Sequence, residues 1–369
     1  MRKQKTSIRG EILREFIHDF VNETPLKKPI QTGEFRKNPK EPDWNCPKGY
    51  SYAIFPYKKF EMEYLRPKKG NTGRVVLQLH GGGYIGPMKN IYRTMAVRYS
   101  KILHGGDVLT IDYRVAPKHP YPAALEDAVA AYLWLIEEQE YKPEQIMLAG
   151  DSAGGGLALA LMMYLRDNDY PLPMGAVLMS PWTDLTCSGS SHSFNFKNDP
   201  LFGNTTESML YGSEYIGNAD PRTPYISPLF GYFHKLPPML FQVGDYEVLL
   251  SDSVDAHRRA VADGCVSSLS VYEGMFHEFQ MSLSMIPESK RAWEEVAVFI
   301  RNMYGLPHPN RSKRLITNTQ VQKTLEEKLE ELRAKIEKDK KTNEQPELLK
   351  EAKKSTDVLK EKHYESNSN

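Results

Sequence analysis

Between about residues 48 and 310 the chain alternates short apolar runs with helical patterns, and this alternation constrains the fold more than any other feature. Val75-Val76-Leu77-Gln78-Leu79, Val108-Leu109-Thr110-Ile111, Gln145 to Ala149, Ala176 to Met179 and Met239 to Val243 each read as a strand. Ala123 to Ile136 and Leu157 to Leu165 read as helices between them. A helical crossover returns the chain to the starting end of the sheet, so successive strands pair in parallel. The expected fold class is α/β, a mostly parallel sheet with helices on both faces.

The rhythm fails in three places. Between Cys187 and Pro238 the chain is rich in Ser, Asn, Pro and Tyr, so residues 188–236 read as an insertion above the sheet. Residues 1–47 form a separate N-terminal segment. In it Glu11 to Val21 places Ile12, Leu13, Phe16, Ile17, Phe20 and Val21 at helical spacing, an amphipathic helix that either packs on the body or forms a lid over a pocket. A polar stretch with Lys27, Lys28, Pro29 and Pro39 follows. Residues 311–369 are dominated by Lys, Glu, Asn and Ser. Leu325, Leu329, Leu332 and Ile336 give about two heptads before Pro346 interrupts. A solvated helix with disorder fits this tail; the contrary expectation is a partner-binding helix, through which a homo-oligomer would form.

Composition narrows the function. A formal net charge of +1 over 369 residues argues against nucleic acid or an anionic membrane as partner. No stretch approaches the roughly 18 apolar residues of a membrane span, and Met1 to Phe20 lacks the apolar core of a signal peptide. Cys46, Cys187 and Cys265 are far apart and share no metal-ligand spacing, which reads as reduced thiols in a cytoplasmic setting with no metal.

Three motifs carry chemistry. Gly150-Asp151-Ser152-Ala153-Gly154 stands between a strand and an Ala/Leu-rich helix, the context of a nucleophile elbow. A sharp turn there strains the backbone at Ser152 and directs a helix N-terminus at the reacting centre, where its dipole favours negative charge. His80-Gly81-Gly82-Gly83-Tyr84 follows strand Val75 to Leu79, and three consecutive glycines suit a loop whose amides, with that of Ala153, approach a substrate oxygen. Glu273-Gly274-Met275-Phe276-His277 sets a histidine just after strand Leu269 to Tyr272, downstream of Ser152 as the order nucleophile, acid, base requires. His119 precedes Ser152, and its proline neighbours suggest a structural turn. The acid belongs on the loop after Met239 to Val243, where both Asp245 and Glu247 qualify and spacing does not choose between them.

Together these motifs resemble the hormone-sensitive lipase family of α/β-hydrolase carboxylesterases. Asp112-Tyr113-Arg114-Val115-Ala116-Pro117, Tyr121-Pro122-Ala123-Ala124-Leu125-Glu126-Asp127 and Ser180-Pro181-Trp182-Thr183-Asp184 extend the likeness over about residues 70–305. The resemblance implies an eight-stranded α/β-hydrolase sheet over residues 48–310 and a helical cap made of the N-terminal segment and the insertion. It implies that Gly82 and Gly83 supply the oxyanion amides, and that Asp112, Asp127 and Asp184 are structural, with Asp151 bracing the elbow. The family's acid usually opens a D-P-L-x-D pattern; aligning Val248-Leu249-Leu250 there puts Glu247 in its place and Ser251 in place of the second Asp. Plant gibberellin receptors resemble the family but lack the histidine, so His277 argues for turnover over ligand binding alone.

The function so implied is hydrolysis of a small-molecule carboxylic ester through an acyl-enzyme, with Ser152, Glu247 and His277 as triad and no cofactor. Amidase or lactonase activity would use the same groups. Short acyl chains are expected, with Tyr84, Phe202 and Tyr225 as candidates for crowding the site.

Overall fold

The computed structural model describes residues 6–23, 27–37 and 41–307. The expectations for residues 311–369 fall outside the described residues. The strands are β1 (Tyr50–Tyr57), β2 (Phe60–Pro67), β3 (Val75–Leu79), β4 (Asp107–Asp112), β5 (Ile146–Asp151), β6 (Gly175–Met179), β7 (Met239–Gly244) and β8 (Ser267–Tyr272). They form one sheet in the order β1-β2-β4-β3-β5-β6-β7-β8. The β1–β2 hairpin and the β2–β4 pair are antiparallel, and every other neighbouring pair is parallel.

Every residue of β3, β5, β6 and β7 is buried, as both-face coverage by helices requires. The helices α4 (Asn90–Ile102) and α9 (Pro287–Tyr304) cover one face, where Tyr92, Met95, Tyr99, Trp293 and Ile300 pack on Val76, Val108, Met147 and Val177. The other face is covered by α5 (Ala123–Glu137), α6 (Ser152–Asp167) and α8 (Leu250–Ala262). Along α6 only Tyr164, Arg166 and Asp167 escape full burial, so this helix is apolar nearly all round and sits at the centre of the fold. Each fully buried Leu or Met of this layer contributes about 1.5–3 kcal/mol.

The N-terminal helix α1 (Ile8–Glu23) packs on the body, but more narrowly than its sequence suggests. Leu13 and Ile17 meet a small cluster of Met275, Phe276, Phe279 and Ile286, and Val21 is buried. Ile12, Phe16 and Phe20, counted as part of the inward stripe, face solvent together with Ile8. The underlying cluster is too small to cover a wider apolar face. Two short helices, α2 (Lys27–Gln31) and α3 (Glu34–Lys37), follow, and α7 (Ser191–Phe194) opens the irregular stretch before β7. The two regions meet: the Met209 amide donates to the Gln31 carbonyl at 2.7 Å, and Gln31 Nε2 donates to the Gly203 carbonyl at 3.1 Å.

Parallel pairing sends the carboxyl ends of β3, β5, β7 and β8 to one edge of the sheet. The loops leaving those strands bear the glycine run, Ser152, the two candidate acids and His277. Ligands in open α/β sheets bind at that edge.

Candidate active site

Ser152 begins α6 directly after β5 with φ of 48°, a left-handed conformation costly for a residue with a Cβ. Glycine makes the turn sterically feasible, since a Cβ on Gly154 would collide with the Leu79 carbonyl of β3. His277 lies over this turn, with its Nε2 3.0 Å from Ser152 Oγ. Its Nδ1 is 2.9 Å from Glu247 Oε2. All three side chains are buried.

Glu247 is held from several sides. Its Oε1 accepts from Ser180 Oγ at 2.8 Å and from the Gly244 amide at 2.6 Å. Asn195 Nδ2 donates to the Asp245 and Glu247 carbonyls, both at 2.7 Å. Asp245 serves a different loop, since its Oδ1 accepts the Gly274 amide at 2.6 Å. The structure thus brings Ser152, His277 and Glu247 together and directs Asp245 to the backbone preceding His277. Burial alone would lower the His277 pKa; the Glu247 hydrogen bond and the nearby Glu278 and Asp199 carboxylates outweigh it, so the imidazole titrates above its usual 6.5.

The glycine run curls through φ of 118° at Gly82 and 66° at Gly83, with the Gly86 amide closing the turn on the Gly82 carbonyl at 3.1 Å. Among the described residues neither the Gly82 nor the Gly83 amide donates to a protein acceptor. Ala153, fully buried in the first turn of α6, has no preceding turn to receive its N–H. His80 is structural: its ring stacks on Tyr113 at 4.1 Å, and Nδ1 donates to the Gly81 carbonyl at 2.7 Å.

Of the three bulky candidates, Phe202 lies edge-on to the His277 ring at 5.1 Å. Tyr84 stacks on Tyr215 at 3.8 Å, and its hydroxyl would lie 3.2 Å from a Cβ placed on Gly156, near the start of α6. Tyr225 donates to Asp167 at the opposite end of α6, roughly 20 Å along the helix from Ser152, and so does not crowd the site. Met209, not singled out from sequence, packs against Gly83 closely enough that a Cβ there would lie 2.9 Å from its Cε. Asp112, Asp127 and Asp184 bind backbone or arginine: Asp112 accepts the Met88 amide, Asp127 pairs with Arg114 at 2.7 Å, and Asp184 accepts from Thr186 and Ser188. Ser180, Asn195 and Glu278 also surround the site; Ser180 stands in the Ser180-Pro181-Trp182-Thr183-Asp184 motif and Glu278 beside His277, but sequence assigns neither a role, and Asn195 carries no signal.

A sheet of this order, with a strand–turn–helix serine at its carboxyl edge, defines the α/β-hydrolase class. Residues 76–281, more than half of the chain, match the family described as alpha/beta hydrolase fold. The chain is 39% identical to an acetyl-hydrolase of Streptomyces hygroscopicus over 243 residues, 66% of this chain and 80% of that one. It is 34% identical to an esterase of Acinetobacter venetianus over 237 residues, 64% of this chain and 77% of the other. Among solved structures it is similar to the esterase EstE5 soaked with p-nitrophenyl butyrate, with a TM-score of 0.70, 33% identity, and coverage of 81% of this chain and 99% of that one. An esterase from the bacterial hormone-sensitive lipase family matches with a TM-score of 0.68 and 32% identity, covering 81% and 99% of the two chains. The chain belongs to the α/β-hydrolase fold family, in the hormone-sensitive lipase branch of carboxylic ester hydrolases. Among the described residues no helix is long and apolar enough to cross a membrane.

Proposed function

We propose that this esterase hydrolyses short-chain carboxylic esters through an acyl-enzyme on Ser152. The observation that carries the reading is the continuous buried chain Ser152–His277–Glu247, with links of 3.0 Å and 2.9 Å. Ser152 Oγ attacks the ester carbonyl while His277 Nε2 takes its proton. Glu247 accepts from Nδ1–H, fixing the tautomer and stabilising the imidazolium. The Gly82, Gly83 and Ala153 amides hold the oxyanion, and each such donor is worth roughly 3–4 kcal/mol in the transition state. The alcohol leaves with the proton from His277, and water repeats the sequence on the acyl-serine.

Residues 1–47 and 188–236 are read as one cap over this site, supported by the Gln31 bonds to Gly203 and Met209. The preference for acyl groups from acetyl to about hexanoyl is supported by Phe202 against the His277 ring and Met209 against Gly83. A reducing, cytoplasmic setting is supported by Cys46, Cys187 and Cys265 all being free thiols. The test is a series of p-nitrophenyl esters of increasing chain length. kcat/KM should be highest among the short chains, and faster cleavage of palmitoyl than of butyryl ester would overturn the preference.

A further inference from the structure

Two buried carboxylates that take no part in the scheme above lie near one another, one of them beside the reacting nitrogen. Glu278 has φ of 56°, and this left-handed turn carries its side chain back toward His277, with Oε1 3.8 Å from Nε2. The Glu278 side chain is only 9% exposed. Asp151, at the end of β5, lies against it across Gly81. A Cβ on Gly81 would fall 2.6 Å from Glu278 Oε1 and would collide with Asp151 Oδ2. Tyr92 ties the arrangement to the glycine run: its hydroxyl donates to Asp151 Oδ2 at 2.9 Å and accepts the Gly81 amide at 2.9 Å.

We propose that Asp151 and Glu278 share a single proton and hold one negative charge on the Nε2 side of His277, making Glu278 a positioning residue for the base, opposite Glu247. This rests on the reading of His277 as the base. Two carboxylates whose oxygens both crowd the space beside Gly81, away from water, cannot both stay ionised. Burial pushes the Asp151 carboxyl well above its usual range, and the charge of Glu278 pushes it further. Burial acts the same way on Glu278, but His277, Arg36, the bond with Asp151 and Lys89 outweigh it and hold Glu278 below its ordinary value. The proton therefore sits on Asp151 and the charge on Glu278. The other ionisable groups facing this corner are Tyr92 and Tyr113, both held neutral by burial, and, around His277 itself, Glu247 and Asp199. When Ser152 gives up its proton, the imidazolium is flanked by an anion near each ring nitrogen.

A purely structural role for Glu278 would leave the titration of His277 in place, so the pH profile decides. On the full chain, kcat/KM for p-nitrophenyl acetate is measured against pH for wild type, Glu278→Gln, Glu278→Ala and Asp151→Asn. Losing the charge on Glu278 makes His277 easier to deprotonate. The acid limb should then move to lower pH by about one unit in Glu278→Gln, with kcat reduced and KM little changed. Asp151→Asn leaves the charge on Glu278, so its limb should stay where the wild type's lies. Should Glu278→Gln fail to fold, as circular dichroism would reveal, Glu278→Ala must move the limb in the same direction. An acid limb that coincides with wild type in a folded Glu278 variant overturns the proposal. His277→Ala separates this failure from failure of the underlying reading. Retained turnover in that variant removes the base itself, whereas an inactive His277→Ala beside an unmoved Glu278→Gln limb removes only the role of the pair.

Discussion

A single methylene separates the two candidate acids, yet their surroundings give them opposite tasks. Glu247 Oε2 lies 2.9 Å from His277 Nδ1, while Asp245 Oδ1 accepts the Gly274 amide at 2.6 Å and so braces the strand end leading to His277. Glu247→Gln would present an amide where an acceptor is needed and favour the wrong tautomer, lowering kcat by roughly 10⁴-fold with the fold retained. Asp245→Asn keeps an oxygen able to accept the Gly274 amide but loses its charge, so it should cost far less activity and act chiefly on stability, by about 1 kcal/mol. kcat and melting temperature measured for both variants separate these roles, and a dead Asp245→Asn would mean that the acid stands two residues earlier. The pH profile follows from the same contacts. His277 must be neutral to accept the Ser152 proton, and its pKa is raised above 6.5, so kcat/KM should fall with decreasing pH with a midpoint above that value. A midpoint well below 6.5 would contradict the balance of charges around the ring. At this scale the sequence was legible where chemistry demands one residue type at one place, as for Ser152 and His277. It was not legible where the role depends on which way a side chain turns: Glu278 stands next to His277, but only its left-handed backbone directs it at Nε2.

Among the elements, the buried ones announced themselves. The runs around β3, β5, β6 and β7 are apolar on both faces because helices cover both, so each reads as a strand within a residue or two of its observed ends. The β1–β2 hairpin did not, because β1 is an edge strand with no buried residue and with Pro56 inside it. The helix α1 was found, but the extent of its buried face was not, since periodicity reports which residues share a face and not how much surface waits beneath it. What α1 does touch is the loop carrying His277. The Ser7 amide and hydroxyl each donate to the buried Glu288 carboxylate at 2.9 Å, and Arg14 Nη1 donates to the Gly274 carbonyl at 3.1 Å. The helix therefore clamps the segment between β8 and α9. Glu288→Ala removes both acceptors, and the cost should be roughly 1–3 kcal/mol of stability, together with a fall in kcat as the His277 loop loosens. Chemical denaturation and steady-state kinetics on the same preparation test this; a variant with lowered stability and unchanged kcat would show that α1 does not steady the base.

For the molecule as a whole, the open matter is what the last part of the chain contributes to the esterase. The chain divides into one compact unit ending at Ser312 and a second running from Lys313 to Asn369. Every residue assigned here to the reaction, and every hydrogen bond described around it, belongs to the first unit, whose last described helix is α9, ending at Tyr304. The second is rich in Lys and Glu in sequence, with Leu325, Leu329, Leu332 and Ile336 at heptad-like spacing and further apolar residues such as Leu348, Leu349, Val358 and Leu359 after Pro346. The groups proposed for hydrolysis, the nucleophile, the base, its acid and the oxyanion amides, all lie before residue 308. A chain ended after Ser312 should therefore keep the specific activity and melting temperature of the full protein. Light scattering on the two proteins completes the experiment: a drop in mass beyond that of the removed residues would identify 313–369 as the segment through which copies associate, while equal stoichiometry would leave it no part in assembly. An insoluble or inactive truncated chain would instead make those residues part of the hydrolase body, and the boundary near residue 312 would have to move.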